Sequence, residues 1–444
     1  MFLINLRRRR LAILGLAITT AIVLVLIIDE PRDRARDYVD RILGHKDNNG
    51  PPHPQYLPEP TWLPPPVQDP FPALATSTPP PIPAWNTPKK NLHEKYGLDY
   101  APPLLIGFTR TWPLLLQAVV SYITAGWPAE QIYVVENTGA QRANSQGKLT
   151  LQNPYYLSYE RLKKLGVNVI STPVLMSFAQ LQNYYLHLSH EQKWPYYFWS
   201  HMDVLALSFE SGQEGITPWA RDPKYKSLYA LCLTELNRTL HKDARWANRF
   251  FAYDHLALVN REAYDDVGGW DTFIPYYMTD CDMHSRLRMA GWSQRDAKAG
   301  HIMDVSTALD DLGALYRNKS IVPAFTDPNP PAPKPDDGKT KRDVSTRADD
   351  APLEYWRRLK KTATDMQNYK HGDRERTVWQ AGQRGGQGEP FYYPAAGIEQ
   401  AVDILTEAGR EVFRKKWGHR DCELIRDGGL RAGDMWRVKQ DWRD

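Results

Sequence analysis

The hydrophobic pattern opens with an uncharged run over residues 11–28, set between four arginines, Arg7 to Arg10, and the acids Asp29 and Glu30. As a helix rising about 1.5 Å per residue, those 18 residues span about 27 Å, enough for a thin bilayer. The arginines hold the preceding tail in the cytosol, so the rest of the chain is expected in the lumen of the secretory pathway. A cleaved signal peptide is the competing reading. Its apolar core is usually shorter, and no small-x-small cleavage site precedes Asp29. Residues 51–88 then carry fifteen prolines. Proline fixes φ and lacks an N–H, so this stretch predicts an extended spacer, and residues 29–100 read as a stem.

From residue 103 short apolar runs alternate with helical periodicity. Residues 104–109 predict a buried strand, 114–125 a helix stopped by Gly126, and 131–139 a strand ending in a polar turn. Residues 167–170 predict another strand, 177–191 a helix and 196–204 a strand. This alternation predicts an α/β fold with a mostly parallel sheet flanked by helices. Ligands of such sheets gather beyond the carboxyl ends of the strands, where Arg110, Glu136, Asn137 and Asp203 fall. Neither a GxGxxG nor a P-loop occurs, so standard dinucleotide and Walker sites are unsupported.

Val267-Gly-Gly-Trp-Asp271 reads as a double-glycine turn, followed by Thr279-Asp-Cys-Asp282. A helical pattern then puts Met283, Leu287 and Ala290 on one face, with Gly291 as its stop. Asp280 and Asp282 therefore stand at a helix N-terminus. Their proximity raises one pKa while the helix terminus favours the anion, two opposed effects. Thr279 and Asp282 also have capping-box spacing, which offers Asp282 a structural role. Residues 323–352 hold seven prolines among charges and predict a disordered insertion. Residues 353–370 and 398–417 predict helices, the second with Ile398, Val402, Leu405 and Val412 as its apolar face.

Charge changes the picture little. The formal net charge is +4, which the four N-terminal arginines account for, so the remainder gives no electrostatic case for nucleic acid. Three cysteines, Cys232, Cys281 and Cys422, allow at most one intramolecular disulfide of open pairing, and no Cys/His cluster has zinc spacing. Asn237-Arg-Thr and Asn318-Lys-Ser are glycosylation sequons usable in a lumen.

Taken in order, Val134-Val-Glu-Asn-Thr-Gly139, the buried strand with a terminal acid, Gly268-Gly-Trp-Asp271, Thr279-Asp-Cys-Asp-Met283 and Arg286-Leu-Arg-Met-Ala-Gly291 resemble GT-A fold glycosyltransferases. The likeness is nearest to the family 2-like branch and fungal type II membrane members, and Phe413-Arg-Lys-Lys-Trp-Gly418 is similar to a segment that often closes such domains. The resemblance implies a nucleotide-sugar donor, UDP- or GDP-linked, and Mn²⁺ or Mg²⁺ to neutralise the diphosphate. It implies Asp203 as the metal-touching acid, with His201 where a first acid usually stands, a substitution that would favour Mn²⁺. His301 matches a later histidine ligand. Glu136 and Asn137 match nucleobase or ribose contacts, and Arg110 is placed to face a phosphate. Asp280 matches the base of inverting members, with Asp282 second, although Thr279 replaces the glutamate common there. Trp270 and Asp271 match acceptor- and donor-sugar contacts.

The expected organisation is a cytosolic tail (1–10), a transmembrane signal anchor (11–28), a Pro-rich stem (29–100), a GT-A core (101–322), the insertion (323–352) and a helical C-terminal extension packed on the core (353–444). The expected function is a metal-dependent, inverting hexosyltransferase-like enzyme of the Golgi or ER membrane acting on a glycan or glycoprotein. The alternative is a catalytically silent relative that binds glycans or scaffolds other transferases.

Overall fold

In the computed structural model residues 65–326, 352–372, 386–390 and 395–442 are described, besides isolated positions 54, 56, 58 and 61. The expected anchor at 11–28 and most of the expected insertion at 323–352 lie outside the described residues. Among the described residues no helix is long and apolar enough to cross a membrane.

The strands are β1 (Leu104–Phe108), β2 (Ile132–Glu136), β3 (Asn168–Ser171), β4 (Tyr196–Ser200), β5 (Val204–Leu207), β6 (Trp246–Phe251), β7 (Leu256–Asn260), β8 (Ser293–Ala297) and β9 (His301–Asp304). The longer helices are α1 (Trp112–Thr124), α2 (Phe178–Glu191), α3 (Leu228–Lys242), α4 (Thr279–Met289), α5 (Pro352–His371) and α6 (Ala395–Trp417). Seven strands form one sheet in the order β3-β2-β1-β4-β7-β6-β8, and β5 pairs with β9 in a separate ribbon. β1 is parallel to β2 and β4, and β2 to β3. β7 is antiparallel to both β4 and β6, and β6 is parallel to β8. Only β7 runs against the others.

Alternation along the central strands divides the core. Leu104, Ile106 and Phe108 of β1 and Tyr196 and Phe198 of β4 pack on one face with α1, α3 and α5. Leu105, Tyr197 and Trp199 face the other way, against α2, α4 and Trp270. Strands covered on both faces read as continuous apolar runs, which is how β1 and β4 look in the sequence. α1 is buried nearly all round, as its uniformly apolar sequence requires. α2 starts at a capping box between Ser177 and Gln180.

Three expectations need correction. The stem does not stay a free spacer to residue 100, because Phe71, Leu74 and Leu98 are buried in the main core. Asp69 pairs with Arg161 at 2.6 Å, and Asn86 donates to Glu210 at 2.9 Å. The Thr279–Asp282 capping box does not form: α4 begins after Met278, whose φ is 70°, with no side-chain cap. Asp282 is drawn inward by stronger partners. The apolar face of α6 is also shifted. Leu405 is 40% exposed, whereas Phe413 and Trp417 are fully buried with Ile274, Cys281 and Leu424. That docking is tight, since a Cβ on Gly409 would lie 2.4 Å from the Tyr277 carbonyl oxygen.

Candidate functional site

The site grows from the end of β4. The strand stops at Ser200, and the turn His201-Met202-Asp203 leads into β5. Directly opposite Val204 stands Asp304, the last residue of β9, and the Val305 N–H donates to the Asp203 carbonyl at 2.8 Å. The β6–β7 connection adds Tyr253, Asp254 and His255, held close by His201 N–H donating to the His255 carbonyl at 3.1 Å. Ala252 and Tyr253 adopt left-handed backbone, φ 60° and 55°, as does Met278 before α4. Non-glycine residues in that region carry strain of order 1–3 kcal/mol and concentrate where a site over-determines the backbone. Here they aim Tyr253 at Asp280: the phenol donates to Asp280 Oδ2 at 2.7 Å.

α5 supplies the remaining members. Its C-terminal Lys370 places Nζ 2.7 Å from Asp203 Oδ2, 2.5 Å from Asp304 Oδ1 and 3.4 Å from the Val305 carbonyl oxygen. His371 Nε2 lies 2.8 Å from Asp304 Oδ2, and His255 Nε2 lies 3.7 Å from the same atom. His201 sits between two acids, Nδ1 3.6 Å from Asp203 Oδ1 and Nε2 3.6 Å from Asp254 Oδ1.

The electrostatics follow from this packing. Burial works against the Asp203 charge, but Lys370 and His201 outweigh it and hold the carboxyl well below the ordinary range. Burial also disfavours a charged His201. Asp254 and Asp203 prevail and push its pKa up to about 10. Asp254 is held low by His201 against the same burial penalty. His255 is lowered by burial and by the neighbouring His201, so it stays neutral. His284, one turn beyond Asp280 on α4, is likewise lowered by burial.

The residues singled out in the sequence divide into three groups. His201 stands between Asp203 and Asp254, and Tyr253, next to Asp254 in the chain, reaches Asp280. Asp280 is half-buried. Glu136 and Asn137 lie beyond β2 but are engaged internally: Glu136 accepts from Asn144 Nδ2 at 2.8 Å, Thr138 Oγ1 at 3.0 Å and the Tyr159 hydroxyl. Asn137 bridges the Met176 N–H and carbonyl, at 2.7 and 2.8 Å, and so pins the approach to α2. Arg110 stands half-buried just past β1.

The others are placed in packing. Trp270 is only 3% exposed, wedged edge-on against Phe178, and presents no free face to a sugar. Its neighbours explain the double glycine. Gly268 and Gly269 have φ of 81° and 70°, and a Cβ on Gly269 would lie 2.8 Å from Asn183 Oδ1. Arg286 ties this turn to α4 by donating to the Val267 and Gly269 carbonyls, each at 2.8 Å, while its Nε reaches Asp282 at 2.8 Å. Asp282 is wholly buried; its other oxygen takes Lys416 Nζ at 2.6 Å and Trp417 Nε1 at 2.9 Å. Asp271 also binds Lys416, at 2.7 Å. Saturated in this way, Asp282 works as an anchor for α6. His301 lies opposite Leu207 at the far end of the β5–β9 ribbon from Asp203, bonded to Glu214 at 2.9 Å. It does not join the cluster.

Asp254, His255, Asp304, Lys370 and His371 escaped the sequence reading. Asp304 closes the apolar run Ile302-Met303 and could have been found as a strand-end acid; the others carry no local signal.

The metal that the resemblance implies can be tested on this donor set. Asp203 and Asp304 converge on one point, and Lys370 Nζ occupies it. Among the described residues no group of three or more His, Cys, Asp or Glu is arranged to hold a metal ion. With Lys370 in place, the residues do not fit a divalent cation.

Comparison with sequence families and with curated proteins gives no match. Among solved structures, a cytidylyltransferase from Leptospira borgpetersenii serovar Hardjo-bovis aligns over 60% of this chain and 96% of its own, at 10% identity and a TM-score of 0.30. A mannosyltransferase from Pyrobaculum calidifontis, solved in complex with GDP-Man and Mn²⁺, aligns over 46% of this chain and 60% of its own, at 14% identity and a TM-score of 0.25. Likeness at this level assigns no activity.

Proposed function

We propose that this chain is a GT-A type glycosyltransferase that moves a sugar from a nucleoside diphosphate to a hydroxyl of a glycan or glycoprotein, with inversion. The observation that supports it best is the linked set of Asp203, Asp254 and Asp304 at the ends of β4, β6 and β9, with Asp280 reached through Tyr253, where open α/β sheets bind ligands. Asp280 is the base: it takes the acceptor hydroxyl proton as the acceptor oxygen bonds to the anomeric carbon. The bond from that carbon to the diphosphate oxygen breaks, and its electron pair leaves with the nucleoside diphosphate. Tyr253 orients Asp280 through its 2.7 Å hydrogen bond. The Mn²⁺ or Mg²⁺ expected from the resemblance takes no part in this scheme, because Lys370 holds its place.

The apolar run at 11–28 would tether the enzyme as a single-pass type II protein of the Golgi or ER, with the sheet in the lumen. The test is a panel of UDP- and GDP-sugars offered to the purified full-length chain, with and without Mn²⁺, followed by nucleotide release and sugar transfer. No turnover with any donor, together with unchanged nucleotide affinity in Asp203→Ala, would defeat the proposal.

A further inference from the structure

Lys370 is out of place by pattern. Leu359, Ala363 and Met366 of α5 are fully buried in the main core, and the next position of the same stripe is Lys370, only 2% exposed. An ammonium carried into a core is costly unless matched by acceptors. Here it meets three oxygens for its three protons, from Asp203, Asp304 and the Val305 carbonyl. The helix that delivers it is fixed along its length. Tyr355 donates to the Ile321 carbonyl at 2.9 Å, and Thr362 to the Pro323 carbonyl at 3.2 Å. Lys360 reaches Glu214 at 2.9 Å. Lys370 is therefore a seated group and not a surface side chain that happens to turn inward.

We propose that Lys370 is a built-in cation that takes the seat of a divalent metal between Asp203 and Asp304, so that donor binding and transfer at this site proceed without metal. This rests on the donor-site reading above and deepens it. Mn²⁺ or Mg²⁺ bound to the same carboxylates would lie about 2.0–2.2 Å from oxygens that already hold the ammonium, so both cannot be present. The lysine touches the carboxylates and no reacting atom; it is a positioning residue that bridges two buried carboxyls side by side. His371, whose side chain is far more exposed than that of Lys370, is the member of the cluster most open to a diphosphate arriving from solvent.

The test is Mn²⁺ titration of the full-length chain followed by electron paramagnetic resonance, on wild type, Asp203→Ala, Lys370→Ala and the double variant. Wild type is expected to leave the free Mn²⁺ signal as it is in Asp203→Ala. Lys370→Ala is expected to take up a stoichiometric ion, and the double variant to lose it. Mn²⁺ bound by wild type and released by Asp203→Ala overturns the proposal, as does a folded Lys370→Ala that takes up none. Should Lys370→Ala not fold, the wild-type comparison decides, with transfer assayed in EDTA beside it: unchanged turnover supports the built-in cation, and loss restored by Mn²⁺ overturns it. Absence of turnover with every donor counts against sugar transfer alone, because the titration reads the seat of Lys370 independently of activity.

Discussion

At the scale of single residues, Asp280 and His201 make opposite kinds of demand. Asp280 needs to stay a free acceptor, and its contact with Tyr253 leaves the second oxygen for a substrate proton. Asp280→Asn is expected to lower kcat by about 10²–10⁴-fold while donor affinity by calorimetry stays as in wild type. A variant of near-normal kcat would remove Asp280 from the role of base. His201 instead contributes to stability. Its folded pKa of about 10 lies above the ordinary value of 6.5, so the charged ring stabilises the fold fully below pH 6.5, and this support fades as pH rises towards 10. Melting temperatures of wild type and His201→Gln should differ most near pH 6.5 and converge near pH 10. Parallel curves would show that the ring is not a charged partner of Asp203 and Asp254.

At the scale of elements, α4 and α6 depend on each other. Asp282 is shared by Arg286, Lys416 and Trp417, so the acid of the Thr279-Asp-Cys-Asp282 motif that looks equivalent to Asp280 is consumed in holding the C-terminal helix. Removing it strands two buried cations. Asp282→Ala is expected to cost about 3–5 kcal/mol, read as a lowered midpoint in denaturant. An unshifted midpoint would mean that the network is not buried in solution. The disulfide Cys281–Cys422 fastens α4 to the segment that follows α6, across 141 residues and beside Asp280. Cys422→Ser should destabilise by about 2–5 kcal/mol, seen as a lower melting temperature that reducing agent does not lower further. Equal melting of variant and wild type without reductant would exclude this bond.

At the scale of the whole molecule, the elements that bury one continuous apolar face were readable. β1 to β4, α1 and α2 lie within a few residues of where periodicity put them, because a strand or helix covered by a core must repeat its apolar positions at its own period. β6 was not readable. Trp246-Ala-Asn-Arg-Phe-Phe251 mixes polar and apolar residues, since Asn248 and Arg249 are buried and bonded within the protein, Asn248 Nδ2 to the Tyr264 hydroxyl at 3.1 Å and Arg249 to Asp243 at 2.8 Å. Nor did pattern reveal that residues 65–100 include core members, as prolines mask the few large side chains that anchor them.

The site divides along the same line. Strand ends pointed to Asp203, and the turn before α4 pointed to Asp280, because local geometry alone directs acids there. Asp203 meets Lys370 from 167 residues away, and the same ammonium takes Asp304 from the facing strand of the β5–β9 ribbon, pairings that no local period encodes. Thus the chain's own pattern determined the α/β class and the main strands, and pointed to Asp203 and Asp280 as candidate acids. Only the tertiary structure decided that Asp282 is an anchor, that His301 stands apart, and that an ammonium fills the place expected for a metal. Burial and charge pairing are properties of the packed whole, and distant segments acquire them only on meeting.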